Sequence, residues 1–359
     1  MISPIEVSRL DAFCRKIFEK IGCSEQDAQT ATGVLLSADL RGIDSHGLAR
    51  LSGYVRLWEN GRINPRPNFR ILHETPSTAT LDADGGLGLV SGPAAMKLAI
   101  SKAKQVGTGW VAVKGSNHFG IAGKHAMMAL EHDMIGIAMT NASPLVAPTN
   151  ALKRLLGTNP MAFAIPAGEE PPFVADFATT TAANGKLEIL QRKNQAAPAG
   201  WIQDQKGNGS TDPHELSRGG ALLPLGSDLS HGSHKGYCLG AVVDILSAVL
   251  SGANYGPWAP PFVAFLNPPA DPVGSGIGHF FGAMRIDAFR PASEFKENMD
   301  RWIRTFREAP SLPGTTVLIP GDPERMMESQ RTQNGISLNE KVWEDLLELG
   351  RKMKVELEG

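Results

Sequence analysis

The chain has 359 residues, more than one hydrophobic core usually serves, so two domains are expected. A hydrophobic fraction of 42% with 20% charged residues excludes an intrinsically disordered chain, and a formal net charge of −2 with no block of like charge argues against nucleic acid or an anionic membrane as a partner. The three cysteines, Cys14, Cys23 and Cys238, form no CxxC pair, which supports neither a disulfide framework nor a cysteine-based zinc site.

The opening Met1-Ile2-Ser3-Pro4 lacks a basic segment followed by an apolar one, so no signal peptide is read and a cytoplasmic enzyme is expected. Helical spacing then governs residues 1–60. Val7, Leu10, Phe13, Cys14 and Ile17 share one face. Ser24 with Asp27 resembles a capping box, and the helix it opens runs to about Arg41 and stops at Gly42. A third helix is expected from Ser45, with Leu48, Leu51, Val55 and Trp58 on one side and Asn60-Gly61 at its end.

Residues 64–81 are proline-rich and then strand-like, and Asp82 to Gly88 form a turn. A helix follows over Pro93–Lys104, then a strand at Trp110–Val113 and a helix from about Ile121 to Glu131. Strands are expected at Ile135–Met139, Met161–Ile165 and Phe173–Phe177. Residues 191–235 read as a polar excursion with short strands, and 236–251 as a helix too short to span a bilayer. A proline- and glycine-rich loop, a strand at Phe280–Ile286 and an amphipathic helix from Ser293 come next. Ser337 with Glu340 is expected to cap a last helix. Helices thus hold both ends and strands the middle.

Five stretches carry residues suited to chemistry. Asp44-Ser45-His46 leads to Arg50, four residues past His46 and on the same face of the expected helix. A helix start favours an anion, and the guanidinium fork matches a carboxylate, so an acid substrate fits there. The plain alternative is an exposed basic helix start. Gly85, Gly86, Gly88 and Gly92 loosely resemble a dinucleotide fingerprint, but the last small glycine is displaced and no acid follows about 20 residues on; a tight turn is the better reading.

Gly115-Ser116-Asn117-His118-Phe119-Gly120 puts one histidine in a small-residue turn between strand and helix, where it can exchange a proton near neutral pH. The alternative is a polar turn whose histidine caps the next helix. Asp176-Phe177-Ala178-Thr179 ends a strand with an acid and hydroxyls able to hold phosphate or ribose oxygens; Asp176 as a helix cap is the alternative. Asp228, His231, His234 and Lys235 invite a metal reading, but no further spaced ligand is evident, so none is assigned and Lys235 is left to reach a phosphate or ribose. Thr158-Asn159-Pro160 and Gly321-Asp322 are further candidate linings.

Taken in order, these stretches resemble the type 2 malate/L-lactate dehydrogenase family, the group related to sulfolactate and ureidoglycolate dehydrogenases. The resemblance rests on 41–50, 115–123, 140–144, 157–160, 176–179, 185–188 and 234–237, and covers about residues 3 to 350. It implies an NAD- or NADP-dependent oxidoreductase acting on 2-hydroxy or 2-keto acids. It also implies an α/β, non-Rossmann cofactor-binding fold: a helical domain from 1–75 plus 290–359 around an α/β cofactor- and substrate-binding domain at 76–289. A homodimer with its site near the subunit interface is implied as well.

Carried over by motif, His118 is the expected proton acceptor and His46 the second candidate. Arg50 would bind the substrate carboxylate, with Ser45, Thr158 and Asn159 lining the site. Ala142, Asp176, Ala178, Thr179, His234, Lys235, Gly321 and Asp322 match cofactor contacts. Three departures stand out: Cys238 where glycine is common, Lys124 where tyrosine is common, and extra residues at Ser227–Ser230. An imine or keto-acid reductase on the same scaffold, or a dimer that binds ligand without catalysis, are the alternative functions.

Overall fold

The computed structural model describes residues 3–357. Helix α1, Val7–Lys20, buries Leu10, Phe13, Cys14, Ile17 and Phe18 along one stripe. Helix α2, Glu25–Leu40, starts at Ser24, whose hydroxyl oxygen accepts the Asp27 N–H at 3.1 Å and whose O–H donates to the Asp27 carboxylate at 2.8 Å. The next helix does not start at Ser45. Residues 42–47 form turns, a short 3₁₀ segment covers Leu48–Arg50, and α3 is Leu51–Glu59. The cause is local: Gly47, at φ −95° and ψ −132°, lies outside the helical region, and the Asp39 carboxyl accepts the Leu48 N–H at 2.7 Å, taking the place an N-cap side chain would hold. His46 therefore precedes the helix, and the helix-start donor is spent on the chain's own acid.

Strands β1, Arg70–Glu74, and β2, Thr78–Asp82, lead to α4, Gly88–Val106, then to β3, Thr108–Ser116, and the short α5, Ala122–Met127. After them come β4, Met134–Thr140, β5, Met161–Ile165, β6, Phe173–Phe177, and α6, Asn184–Arg192. The excursion holds β7, Ile202–Gln203, β8, Gly209–Ser210, and β9, Ala221–Leu222, paired as a small sheet. The chain finishes with α7, Ser233–Asp244, which runs on as a π turn over Ile245–Val249; β10, Ile277–Arg285; α8, Ala292–Arg307; α9, Asp322–Asn334; and α10, Glu340–Met353. The last helix is capped by Asn339, which accepts the Lys341 N–H at 3.0 Å, and not by Ser337.

The large sheet has the order β1-β2-β3-β10-β4-β5-β6. Among the described residues only β2 and β3 pair in parallel; β10 enters antiparallel between β3 and β4, and the rest of the sheet is antiparallel. This is a mixed α/β architecture and not the doubly wound parallel sheet of Rossmann folds. Small residues let α4 and α5 lie close on the sheet. A Cβ on Gly109 would run into the Ala99 carbonyl, and one on Gly136 into that of Ala126.

Beside the sheet core around Val111, Phe119 and Phe281, a second core joins α1, α2, α3 and α10 through Phe13, Leu35, Tyr54, Leu346 and Leu349. Each such buried side chain contributes roughly 1.5–3 kcal/mol. Ile5 and Ile336 tie the two ends together by reciprocal backbone hydrogen bonds at 3.0 and 2.9 Å. Helix α8 lies beside β6: Trp302 meets Phe173 edge-on with ring centroids 5.8 Å apart. The buried Asp300 carboxylate accepts the N–H groups of Gly168, Glu169 and Glu170. No helix among the described residues is long and apolar enough to cross a membrane.

Candidate active site

The turn after β3 is fixed from beneath. The buried Asn117 amide donates to the carbonyls of Gly85 and Gly86, both at 3.0 Å. At the start of α4, a Cβ on Gly88 would strike the carbonyls of Asn117 and His118. The glycine cluster thus lets two backbones touch, so that the 118 turn sits directly on α4. Ser116 adds a buried chain of hydrogen bonds: its hydroxyl meets Ser91 Oγ and His279 Nε2, each at 2.7 Å, and His279 Nδ1 meets Thr140 Oγ1 at 2.7 Å.

On this platform His118 faces His46. The two rings stack with centroids 5.6 Å apart. His118 Nδ1 lies 2.7 Å from the Tyr54 hydroxyl, while His46 Nδ1 lies 2.9 Å from the Ser45 hydroxyl. Phe262, from the proline- and glycine-rich loop before β10, covers the site, its ring 4.7 Å from that of His118 and 5.2 Å from that of Tyr54. That ring packs on α3 where a Cβ on Gly53 would come within 2.5 Å of it. Arg56 and Arg62 hold the loop from below, donating to the carbonyls of Phe262 and Pro261. Arg50 donates from Nε to the Ser45 carbonyl at 2.6 Å and from Nη2 to Glu188 of α6 at 3.4 Å.

Both histidines are held neutral near pH 7. Burial, and then the Arg50 charge, pull His46 down to about 4. His118 lies well below the ordinary histidine value, first through burial and then through His46, Arg50 and His279. Burial pushes the Tyr54 phenol up, so it stays protonated as a hydrogen-bonding group. A neutral imidazole beside a cationic fork is suited to accept a proton from an anionic substrate's hydroxyl.

The other expected residues form two further groups. Asn159, fully buried, accepts the Ala142 N–H at 3.2 Å and donates to the Gly240 carbonyl of α7 at 2.9 Å. Thr179 donates from its N–H to the Thr158 carbonyl at 3.0 Å, and its hydroxyl reaches the same carbonyl at 3.0 Å. The turns at 142, 158 and 179 and helix α7 are therefore one unit. Asn159 and Thr179 act within it as ties, with their polar atoms committed inside the chain. His234 and Lys235 are exposed at the start of α7.

Asp176, at the end of β6, accepts the Gly123 N–H of α5 through Oδ2 at 2.7 Å, while its Oδ1 has no partner among the described residues. Burial pushes it up to about 6 against the opposing pull of that N–H and of Arg41. Gly321, with φ of +100°, lies on Val174 of β6, and the Val174 N–H donates to Pro320. The Asp322 carboxylate accepts the Ile319 N–H at 2.9 Å and is flanked by Arg307 and Arg325. A carboxyl with one free oxygen can accept from ribose hydroxyls, and backbone turns without bulky side chains and an exposed lysine can donate to phosphates, so these residues fit a dinucleotide.

Asp228 and His231 pair with each other on an exposed loop, and among the described residues no three His, Cys, Asp or Glu side chains are grouped to hold a metal ion.

Three site residues escaped the sequence reading. Tyr54 lies four residues past Arg50, so the helical spacing that linked His46 to Arg50 carried its signal too. Glu188 was visible only as part of the 185–188 motif. Phe262 sits in a loop whose composition says nothing of where it folds.

The family model described as malate/L-lactate dehydrogenase matches residues 5–347. The chain is 42% identical over 351 residues to the malate dehydrogenase of Pyrococcus horikoshii, covering 97% of this chain and 95% of that protein. It is 39% identical over 344 residues to the malate/(S)-sulfolactate dehydrogenase of Methanothermus fervidus, covering 95% and 96%. The solved structure of the P. horikoshii malate dehydrogenase superposes with a TM-score of 0.89 at 40% identity, over 98% of this chain and 96% of that one. By the extent of these matches the chain belongs to the malate/L-lactate dehydrogenase family of oxidoreductases.

Proposed function

We propose that the protein transfers a hydride between a nicotinamide cofactor, NAD or NADP, and a 2-hydroxy acid or its 2-keto form, of the malate, lactate or sulfolactate type. The observation that carries this reading is one contact group: His118 stacked at 5.6 Å on His46, with Arg50 two residues beyond Leu48 on the turn that follows His46. Arg50 pairs with the substrate carboxylate and fixes its orientation. His118 takes the hydroxyl proton on Nε2 while Nδ1 keeps its bond to Tyr54, and in reverse it returns the proton to the keto oxygen. His46 and Ser45 polarise or orient that oxygen. Phe262 excludes water from the pair.

The nicotinamide supplies the carbon that accepts or gives the hydride. Asp176 through its free oxygen would take a ribose hydroxyl, and Lys235 with His234 would meet phosphate. Ala142, Ala178, Thr179, Gly321 and Asp322 would line the cofactor's path, and Thr158 with Asn159 would shape the edge shared with the substrate. A homodimer belongs to the same reading; the exposed apolar face of α7 and its π turn, with Tyr237, Leu239, Val242, Ile245 and Val249, supports it.

The test is absorbance of NADH and NADPH with oxaloacetate, pyruvate, sulfopyruvate, ureidoglycolate and a cyclic imine. Turnover of at least one acid pair is expected. Much faster reduction of the imine with NADPH would move the assignment to an imine reductase. Failure of either nucleotide to change nicotinamide fluorescence or melting temperature would leave a dimer without this activity.

A further inference from the structure

We propose that Glu188 sets the enzyme's affinity for its carboxylate substrate, by holding the Arg50 fork until the substrate carboxylate displaces it. The inference rests on Arg50 as the substrate clamp. Glu188 approaches Arg50 Nη2 at 3.4 Å, a stretched contact, while its other oxygen accepts the Asn184 side-chain amide at 2.7 Å. The pair is not sealed from water: the side chains are 17% exposed for Arg50 and 32% for Glu188. A long, partly solvated, single-point ion pair is weak, whereas a substrate carboxylate can take two guanidinium donors at once. Exchange of one carboxylate for the other is therefore favourable.

The element that carries Glu188 is already seated on the clamp. Gly185, in the first turn of α6, lies so close that a Cβ there would stand 2.7 Å from Ser45 Cβ and 3.1 Å from Arg50 Nη2. The segment that follows Asp176 and Thr179 is thus in direct contact with the loop that carries Ser45, His46 and Arg50. Glu188 occupies the same guanidinium that the substrate needs, so its charge competes with the substrate for as long as α6 stays seated. The Asn184 bond gives Glu188 somewhere to rest once displaced, because it holds the other carboxylate oxygen.

The test is steady-state kinetics of Glu188→Gln and Glu188→Ala with the best keto acid of the panel, together with melting-temperature titrations with oxamate. Both substitutions should lower KM and the oxamate midpoint about two- to fivefold. Neither effect should survive in an Arg50→Met background, where no cation is left to compete for. An unchanged or raised KM in both variants, or a gain that persists without Arg50, overturns the proposal. Thermal melts of the free variants report folding separately. If the wild type reduces no keto acid, the reading of the site falls and this inference with it; if the wild type turns over and KM does not move, only this inference falls.

Discussion

Tyr54 and His118 are joined by a 2.7 Å hydrogen bond between the phenol oxygen and Nδ1, from one helix buried in the terminal core to a turn that belongs to the sheet. The bond fixes which ring nitrogen is left for chemistry. With Nδ1 taken, Nε2 is the nitrogen left for a substrate in the proposed mechanism, where Tyr54 would stabilise the imidazolium formed when Nε2 gains a proton. Tyr54→Phe keeps the ring contacts with Phe18 and Phe262 and removes only the hydroxyl. We expect kcat to fall about five- to tenfold and the pH–rate profile to move. An unchanged profile would reduce Tyr54 to a packing residue.

His118→Ala should lower turnover by about a hundredfold or more while nucleotide still binds, as read by nicotinamide fluorescence. His46→Ala, tested beside it, should cost less, because His46 is tied only to Ser45 through Nδ1 and is not braced from a second core. If the larger loss follows His46, the proton belongs there instead.

Arg50→Lys should mainly raise the substrate KM, because a single ammonium replaces the planar fork. Saturation kinetics with the preferred acid provide the check. The Ser45 carbonyl, which takes Nε at 2.6 Å, fixes the guanidinium plane and would lose its partner in the lysine variant. An unaltered KM would remove Arg50 from substrate binding.

If His118 carries the proton as proposed, its depressed pKa gives the two reaction directions opposite pH behaviour. Oxidation by that route needs the neutral ring, which is the form present at pH 6.5 because burial, and then His46 and the Arg50 charge, hold the pKa down. Its kcat/KM should therefore stay level as pH falls through 6.5, and drop only in more acid solution. Reduction needs the protonated ring, so its kcat/KM should decline as pH rises over the same range. Profiles of kcat/KM in both directions test this; an oxidation limb that turns near 6.5 would mean an unperturbed histidine.

Regular, half-buried elements were legible in the sequence. The strands Met161–Ile165 and Phe173–Phe177 stand where they were expected, and Ser24 caps α2 as its motif indicated. Helix α9 was missed because it buries no residue fully, so no apolar stripe marks it; α6 buries only Gly185 and Leu187. The residues of the candidate site were legible as types, since His46, Arg50 and His118 stand out in their stretches. Their mutual arrangement was not. It depends on Phe262, 144 positions after His118, and on Glu188. The helix expected from Ser45 failed for a reason that no local pattern carries: a carboxyl from the preceding helix takes its first N–H.

That carboxyl, Asp39, gives the stability of the 42–50 loop its own pH dependence. Burial pushes it up to about 8, against the pull of the Leu48 N–H and Arg331. Between its ordinary value and 8 the folded state keeps a proton that the unfolded state has released, so this contribution to stability falls as pH rises through that window. Asp39→Asn keeps an oxygen for the Leu48 N–H and has no charge to bury. At pH 5 the variant should melt within a few degrees of wild type, about the effect of 1 kcal/mol. At pH 8.5 it should lose less of its melting temperature than wild type does. Thermal melts at both pH values decide the matter: an equal loss in the two proteins would show that the proton on Asp39 does not control this loop.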